Sequence, residues 1–137
     1  MTMERSEIDE FLRGKRIAVL ATVGKGGAPH ITSMWYGYDG ESISFWSGWG
    51  AIKTRNIQRD GRVSVLVDVD QEPYRGVRID GTARVEESNV REQAYAIARR
   101  YVGHKGGTEY VDQSGDEPGV IIKVTPRRFY SWDYSKG

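Results

Sequence analysis

Short apolar segments joined by tight turns follow one another along most of this 137-residue chain. Residues 17–22 lead into a glycine-rich turn at 24–27, and residues 29–38 lead into Asp39-Gly40, a strong hairpin signal. Strands joined by hairpins pair antiparallel, and an antiparallel sheet of this size usually closes on itself, which removes its exposed edges. We therefore predict a mainly β fold, an antiparallel barrel of six or seven strands with two or three helices.

The remaining elements follow from periodicity and turn residues. Further strands are predicted at 41–47, 62–68, 74–86, 120–124 and 129–133, the last two separated around Pro126. Gly81, inside a predicted strand, indicates a bulge or a tight bend. Helices are predicted at 6–12 and 89–101, and residues 104–118 are predicted to form a long polar loop.

Composition excludes several classes of function. Lys and Arg total 20 against 19 for Asp and Glu, and there is no cysteine. The near-neutral balance gives no attraction to nucleic acid or to acidic membranes, and the lack of cysteine excludes disulfides and thiolate chemistry. With neither a signal peptide nor an apolar run of bilayer length, we expect one cytoplasmic domain spanning residues 1–137.

Residues 45–60 are the strongest candidate for a binding segment. An apolar strand end, Phe45-Trp46, runs into a Ser/Gly turn, and a short helix then begins whose first turns carry Lys53, Thr54 and Arg55. Helix starts present unpaired amides and favour anions, so this segment could hold a phosphate while its indoles wall a flat ring. The alternative is a solvated helix face, and these residues alone leave the two interpretations about equal.

No catalytic or metal-binding cluster accompanies this segment. His30 and His104 are the only histidines, and no set of acidic or histidine residues has the spacing of a metal site. A strand-turn-helix nucleophile elbow is also missing, so we predict neither catalytic side chains nor metal ligands. Residues 32–36 could lie beneath a ring and offer it backbone groups, or could be an ordinary barrel strand.

Several motifs together resemble a known family. Residues 17–22, the run from Pro29 to Tyr36, Asp39-Gly40 and residues 43–48 resemble the flavin-binding split-barrel proteins related to pyridoxamine phosphate oxidase. The segment Lys53-Thr54-Arg55-Asn56-Ile57 is similar to the branch of that family which uses the deazaflavin coenzyme F-420 in place of FMN. The resemblance extends over nearly the whole chain.

This resemblance implies a split β-barrel that acts as an oxidoreductase, transferring a hydride between the deazaflavin and a small conjugated organic substrate. FMN is the alternative cofactor, and a non-enzymatic binder of the cofactor or of haem is a third possibility. The resemblance also implies a homodimer with cofactor sites at its interface. The cofactor would be held by the phosphate segment and by the strand behind the ring: Ser47, Ala51, Ile52, Lys53, Thr54 and Arg55, with Thr32, Ser33, Met34 and Trp35.

Overall fold

A computed structural model describes residues 1–137 and contains seven strands and three α-helices. The strands are β1 (Ala18–Val23), β2 (Pro29–Met34), β3 (Gly37–Tyr38), β4 (Ile43–Ser47), β5 (Arg62–Val69), β6 (Arg75–Glu86) and β7 (Val120–Asp133). The helices are α1 (Arg5–Arg13), α2 (Ile52–Arg59) and α3 (Val90–Asp112), and a 3₁₀ turn, Tyr134–Lys136, ends the chain. No helix combines the length and the apolar character that crossing a bilayer requires.

All seven strands form one antiparallel sheet in the order β2-β1-β5-β6-β7-β4-β3. The two end strands, β2 and β3, are separated in sequence only by Trp35 and Tyr36. Because so short a connection spans only about 10 Å, it holds the two ends of the sheet close together and curls the sheet. The predicted mainly β split barrel is confirmed, and its seam lies at Trp35-Tyr36.

The seam also explains why the predicted strand 29–38 is interrupted. Helix α3 bonds the backbone of Tyr36: the Tyr36 N–H donates to the hydroxyl of Tyr101 at 3.1 Å, and Arg100 donates to the Tyr36 carbonyl. The Tyr36 ring is fully buried, and its hydroxyl donates to the Leu12 carbonyl at 2.7 Å. Side chains of α3 thus replace the strand neighbour that the seam lacks.

The main core fills the inside of the curled sheet. Alternating residues supply it, for example Val63, Val65 and Val67 of β5, as period-two patterning requires. Helices α1 and α2 add apolar side chains to the same cluster of 17 buried residues. A second cluster, with only Ala94, Ala98 and Val111, lies within α3.

Two local predictions near the closing strand have different outcomes. The bulge predicted at Gly81 is confirmed, because the register between β6 and β7 shifts between Asp80 and Gly81. The prediction of two strands around Pro126 is wrong, since β7 is one continuous strand. Pro126 lies opposite Gly81 at the irregularity, a position where a residue without an N–H is tolerated.

The prediction of a polar loop at residues 104–118 is also wrong over most of its length. Helix α3 breaks at Gly103 (φ 84°, ψ 170°) and then continues as helix to Asp112. A β-carbon on Gly107 would lie 2.4 Å from the Arg99 backbone nitrogen, so the two halves of α3 pack against each other at this glycine. This close packing stabilises a segment whose glycines favour a loop when it is considered alone.

Candidate functional site

A cavity of about 440 Å³ opens beside the seam. Its volume lies in the range of small-molecule and cofactor sites. Strands β2 and β4 and helices α2 and α3 each contribute to it. Its lining residues are Ile17, Thr32, Ser33, Met34, Trp35, Trp46, Lys53, Ile97 and Tyr110.

One side of the cavity, the strand wall, consists of Thr32, Ser33, Met34 and Trp35. Successive residues of a strand point to opposite faces, yet Thr32, Ser33 and Met34 all line the cavity, so it lies against the edge of β2. That edge is free, because β2 pairs only with β1. Its unpaired N–H and C=O groups are therefore available to the polar rim of a ligand.

The other side, the helix wall, consists of Ile97 and Tyr110 of α3. Two indoles lie next to it. Trp35 is stacked on Tyr101 with ring centroids 5.0 Å apart and an interplanar angle of 4°, while Tyr110 is tilted by 48° against Trp35 at 5.2 Å. Tyr110 also meets Trp46 edge-on at 5.9 Å. These rings give the cavity an aromatic lining suited to a flat ligand.

Lys53 is the only charged residue that lines the cavity. It is half-buried, it makes no salt bridge, and its ammonium has no hydrogen-bond partner. Burial lowers the pKa of Lys53 below its ordinary value of 10.5, because a desolvated ammonium is disfavoured. A cation in this position, with no protein counter-ion, is suited to an anionic group of a ligand.

The start of α2 strengthens this electropositive character. Ala51 occupies the N-cap without any side-chain hydrogen bond, and the first turn contains no acidic residue. The first amides of a helix have no intrahelical acceptor, and the dipole makes this end partly positive. Lys53 and these amides therefore lie at the same end of the cavity-lining helix.

The Ser47 and Thr54 hydroxyls are engaged within the turn that precedes α2. Thr54 is fully buried and donates to the Gly48 carbonyl at 2.8 Å, and its oxygen lies 2.9 Å from that of Ser47. These bonds close the loop between β4 and α2 and fix where Lys53 emerges. Both residues therefore position Lys53, and the phosphate contacts predicted for them stay a prediction.

The predicted site residues divide into two groups. Thr32, Ser33, Met34, Trp35 and Lys53 line one cavity, although they come from distant parts of the chain. Those outside its lining are Ser47, Ala51, Ile52, Thr54 and Arg55. Ile52 and Arg55 are exposed on α2, so the structure favours Lys53 over Arg55 as the cation of the cavity.

Three lining residues were not predicted: Ile17, Ile97 and Tyr110. Ile97 belongs to the predicted apolar stripe of α3, a pattern that does not distinguish core from cavity. Tyr110 lay inside the segment predicted as a loop. The signal that could have revealed it is the small-residue spacing of Ala94, Ala98 and Gly107, which allows two helices to pack closely. The sequence leaves the roles of Trp46 and Trp49 open; in the structure Trp46 lines the cavity, whereas Trp49 is exposed.

Residues 5–133 match the family model for pyridoxamine 5′-phosphate oxidase. The chain belongs to this family. Its split-barrel fold is thus that of a pyridoxamine 5′-phosphate oxidase-like protein.

Solved structures of similar proteins agree with this assignment. The conserved hypothetical protein Rv2991 from Mycobacterium tuberculosis is 34% identical, with a TM-score of 0.87 over 99% of this chain and 88% of that one. A structure described as an F-420 reductase is 26% identical, with a TM-score of 0.75 over 89% and 94% of the two chains. A putative pyridoxamine 5′-phosphate oxidase from Listeria innocua is 26% identical, with a TM-score of 0.71 over 93% and 96%.

Proposed function

We propose that this pyridoxamine 5′-phosphate oxidase-like protein is an oxidoreductase that binds the deazaflavin coenzyme F-420. It would transfer a hydride between this cofactor and a small conjugated organic substrate. The observation that carries the proposal is Lys53, a half-buried cation without a counter-ion on the wall of an aromatic-lined cavity. A ligand with a flat ring and a phosphate satisfies both features at once.

The cavity residues fit such a ligand without a catalytic acid or base. When bound, the cofactor supplies the hydride chemistry. Lys53 and the first amides of α2 would hold its phosphate, and the free edge of β2 would orient the polar rim of its ring. Trp35 and Trp46 would exclude water from the ring face.

The choice of deazaflavin over FMN rests on two supports. The segment Lys53-Thr54-Arg55-Asn56 resembles the deazaflavin-using branch, and a structural neighbour at 26% identity is described as an F-420 reductase. FMN is the second candidate, because the chain belongs to the family of pyridoxamine 5′-phosphate oxidase and resembles its flavin-binding members.

We also propose that the protein acts as a homodimer. Ile31 of β2 is 67% exposed and Ile17, on the cavity wall, is 48% exposed. These two large apolar side chains would be covered if a second copy packed against this face. Mass measured in solution tests this proposal, and a monomer at micromolar concentration would contradict it.

Equilibrium titration of the apo-protein with coenzyme F-420 and, separately, with FMN is the decisive experiment for the cofactor. We expect the deazaflavin to bind at least tenfold more tightly than FMN. Tight FMN binding with no deazaflavin binding would overturn the cofactor choice. Tight binding of either cofactor without turnover of any electron-poor acceptor would instead favour a storage or carrier role.

A further inference from the structure

The helix wall is built on a helical hairpin inside α3. Gly103 breaks the helix, and the second half returns along the first, where Gly107 lies directly against the backbone of Arg99. Side chains fasten the two halves together: Arg99 donates to the Thr108 hydroxyl at 2.8 and 3.0 Å, and the Tyr95 hydroxyl donates to Asp112. The hairpin therefore brings Tyr110 to the cavity.

Tyr110 presents half of its surface to solvent and cavity, although its ring touches two indoles. It is 50% exposed, and its ring is parallel to neither Trp35 nor Trp46, with angles of 48° and 76°. Three rings at such angles form a corner instead of a filled stack. A planar ring entering that corner can stack on one of the three and meet the others edge-on, an arrangement that a puckered ring cannot match.

The Tyr110 hydroxyl makes no hydrogen bond to the protein, unlike the hydroxyls of Tyr36, Tyr95 and Tyr101, which each donate to a protein acceptor. A phenol hydroxyl is a good donor to a neutral oxygen. At the rim of the cavity it is available to a carbonyl or nitro oxygen, whereas Lys53 is suited to a charged group.

We propose that Tyr110 is a specificity-determining residue, and that it selects a planar ring bearing a neutral oxygen acceptor, such as a nitro or carbonyl group, as the second ligand of the cavity. The proposal rests on the proposed function, since it assigns the substrate of that site. Within it, the strand wall and Lys53 hold the cofactor, and Tyr110 recognises the acceptor by ring shape and by one hydrogen bond.

Binding of two neutral probes, nitrobenzene and nitrocyclohexane, tests this assignment on the full chain. The probes share the nitro group and differ in ring planarity, and binding is followed by the NMR shifts of the tryptophan indole N–H groups. We expect the wild-type protein to bind nitrobenzene about fivefold more tightly. Tyr110→Leu should bring the two affinities within twofold, whereas Tyr110→Phe should keep the preference and weaken both probes about threefold.

Tyr134→Leu is the matched control, because Tyr134 is 53% exposed, lacks a hydroxyl partner and lies outside the cavity. It should leave both affinities unchanged. A wild-type preference that survives in Tyr110→Leu would overturn the shape selection. If that variant does not fold, Tyr110→Phe still decides, since wild-type affinity for both probes in it would overturn the role of the hydroxyl.

The probes carry no charge and need no cofactor, so this test is separate from the cofactor titration. Absence of cofactor binding, with the Tyr110-dependent preference intact, would defeat only the proposed function. Cofactor binding without a Tyr110-dependent preference between the probes would defeat only the role of Tyr110. In both Tyr110 variants the cofactor dissociation constant should stay within twofold of wild type, and a parallel loss would place Tyr110 in the cofactor site instead.

Discussion

The two walls of the cavity differ in what supports them. The strand wall continues β2, which pairs along its whole length with β1, and its Met34 packs against the 17-residue core. In the helix wall, Tyr110 lies in residues 104–112, which contribute Val111 to a cluster of only three buried residues and are joined to the first half of α3 through Gly103.

Because of this difference, we expect the two walls to have different roles. A cofactor needs a fixed orientation, which elements anchored in a large core provide. An element with few buried contacts opens at a lower free-energy cost and can change its conformation without unfolding the domain. We therefore expect substitutions on the strand side to affect global stability and cofactor affinity, and substitutions in residues 104–112 to have local effects.

The largest effect is expected from removing a side chain of the main core next to the cavity. Phe45 of β4 is fully buried in the main core, next to Trp46 of the cavity. Phe45→Ala should lower the free energy of unfolding by about 3–5 kcal/mol, measured by urea denaturation. Val111→Ala, in the small α3 cluster, is the comparison and should cost clearly less. Equal costs would show that the two walls share one cooperative core.

The next effect concerns Lys53, the cation of the cavity. Lys53→Ala should weaken cofactor binding by about 1–3 kcal/mol, as expected for the loss of a charge-assisted contact to phosphate. Arg55→Ala on the same helix is the matched control, because Arg55 is exposed and outside the cavity lining. Titration of both variants checks this. Unchanged affinity in a folded Lys53→Ala protein would remove Lys53 from the site.

The sheet could be predicted from sequence because its signals are local. Alternating valines in β5, the turn at Asp39-Gly40 and the glycine at the bulge each report their own conformation without reference to distant residues. The Lys53 segment could also be identified as a candidate binding segment, since a Ser/Gly turn before a helix start is a pattern within one stretch of chain.

The helix wall could not be predicted in this way because its stability comes from distant contacts. Gly106 and Gly107 lower helix propensity, and the helix continues because its second half packs against the first, with Gly107 close to Arg99. The seam is similar: the strand pattern continues through Tyr36, but its backbone N–H donates to Tyr101 and its carbonyl accepts from Arg100, which removes this residue from the sheet. In both places tertiary packing overrides local preference.

Substituting the close-packed glycine should disturb only the helix wall. In Gly107→Ala the added β-carbon would meet the Arg99 backbone at 2.4 Å, which should cost about 1–2 kcal/mol and loosen residues 104–112. Gly106→Ala is the control, since its β-carbon would meet only the Val102 side chain at 3.3 Å. Hydrogen exchange should accelerate in residues 104–112 of Gly107→Ala and stay slow in β1 and β5. Faster exchange in those strands would contradict the separation of the walls.

The smallest effect is a pH dependence of cofactor affinity. Burial lowers the pKa of Lys53 below 10.5, so this ammonium loses its proton at a lower pH than a surface lysine does. A bound phosphate favours the protonated form, and affinity should therefore be constant near neutral pH and fall as pH rises through the lowered pKa. Lys53→Arg should remove this fall, because a guanidinium stays charged over the whole range. Dissociation constants measured from about pH 7 to 10 check this, and an identical fall in both proteins would assign the titration to another group.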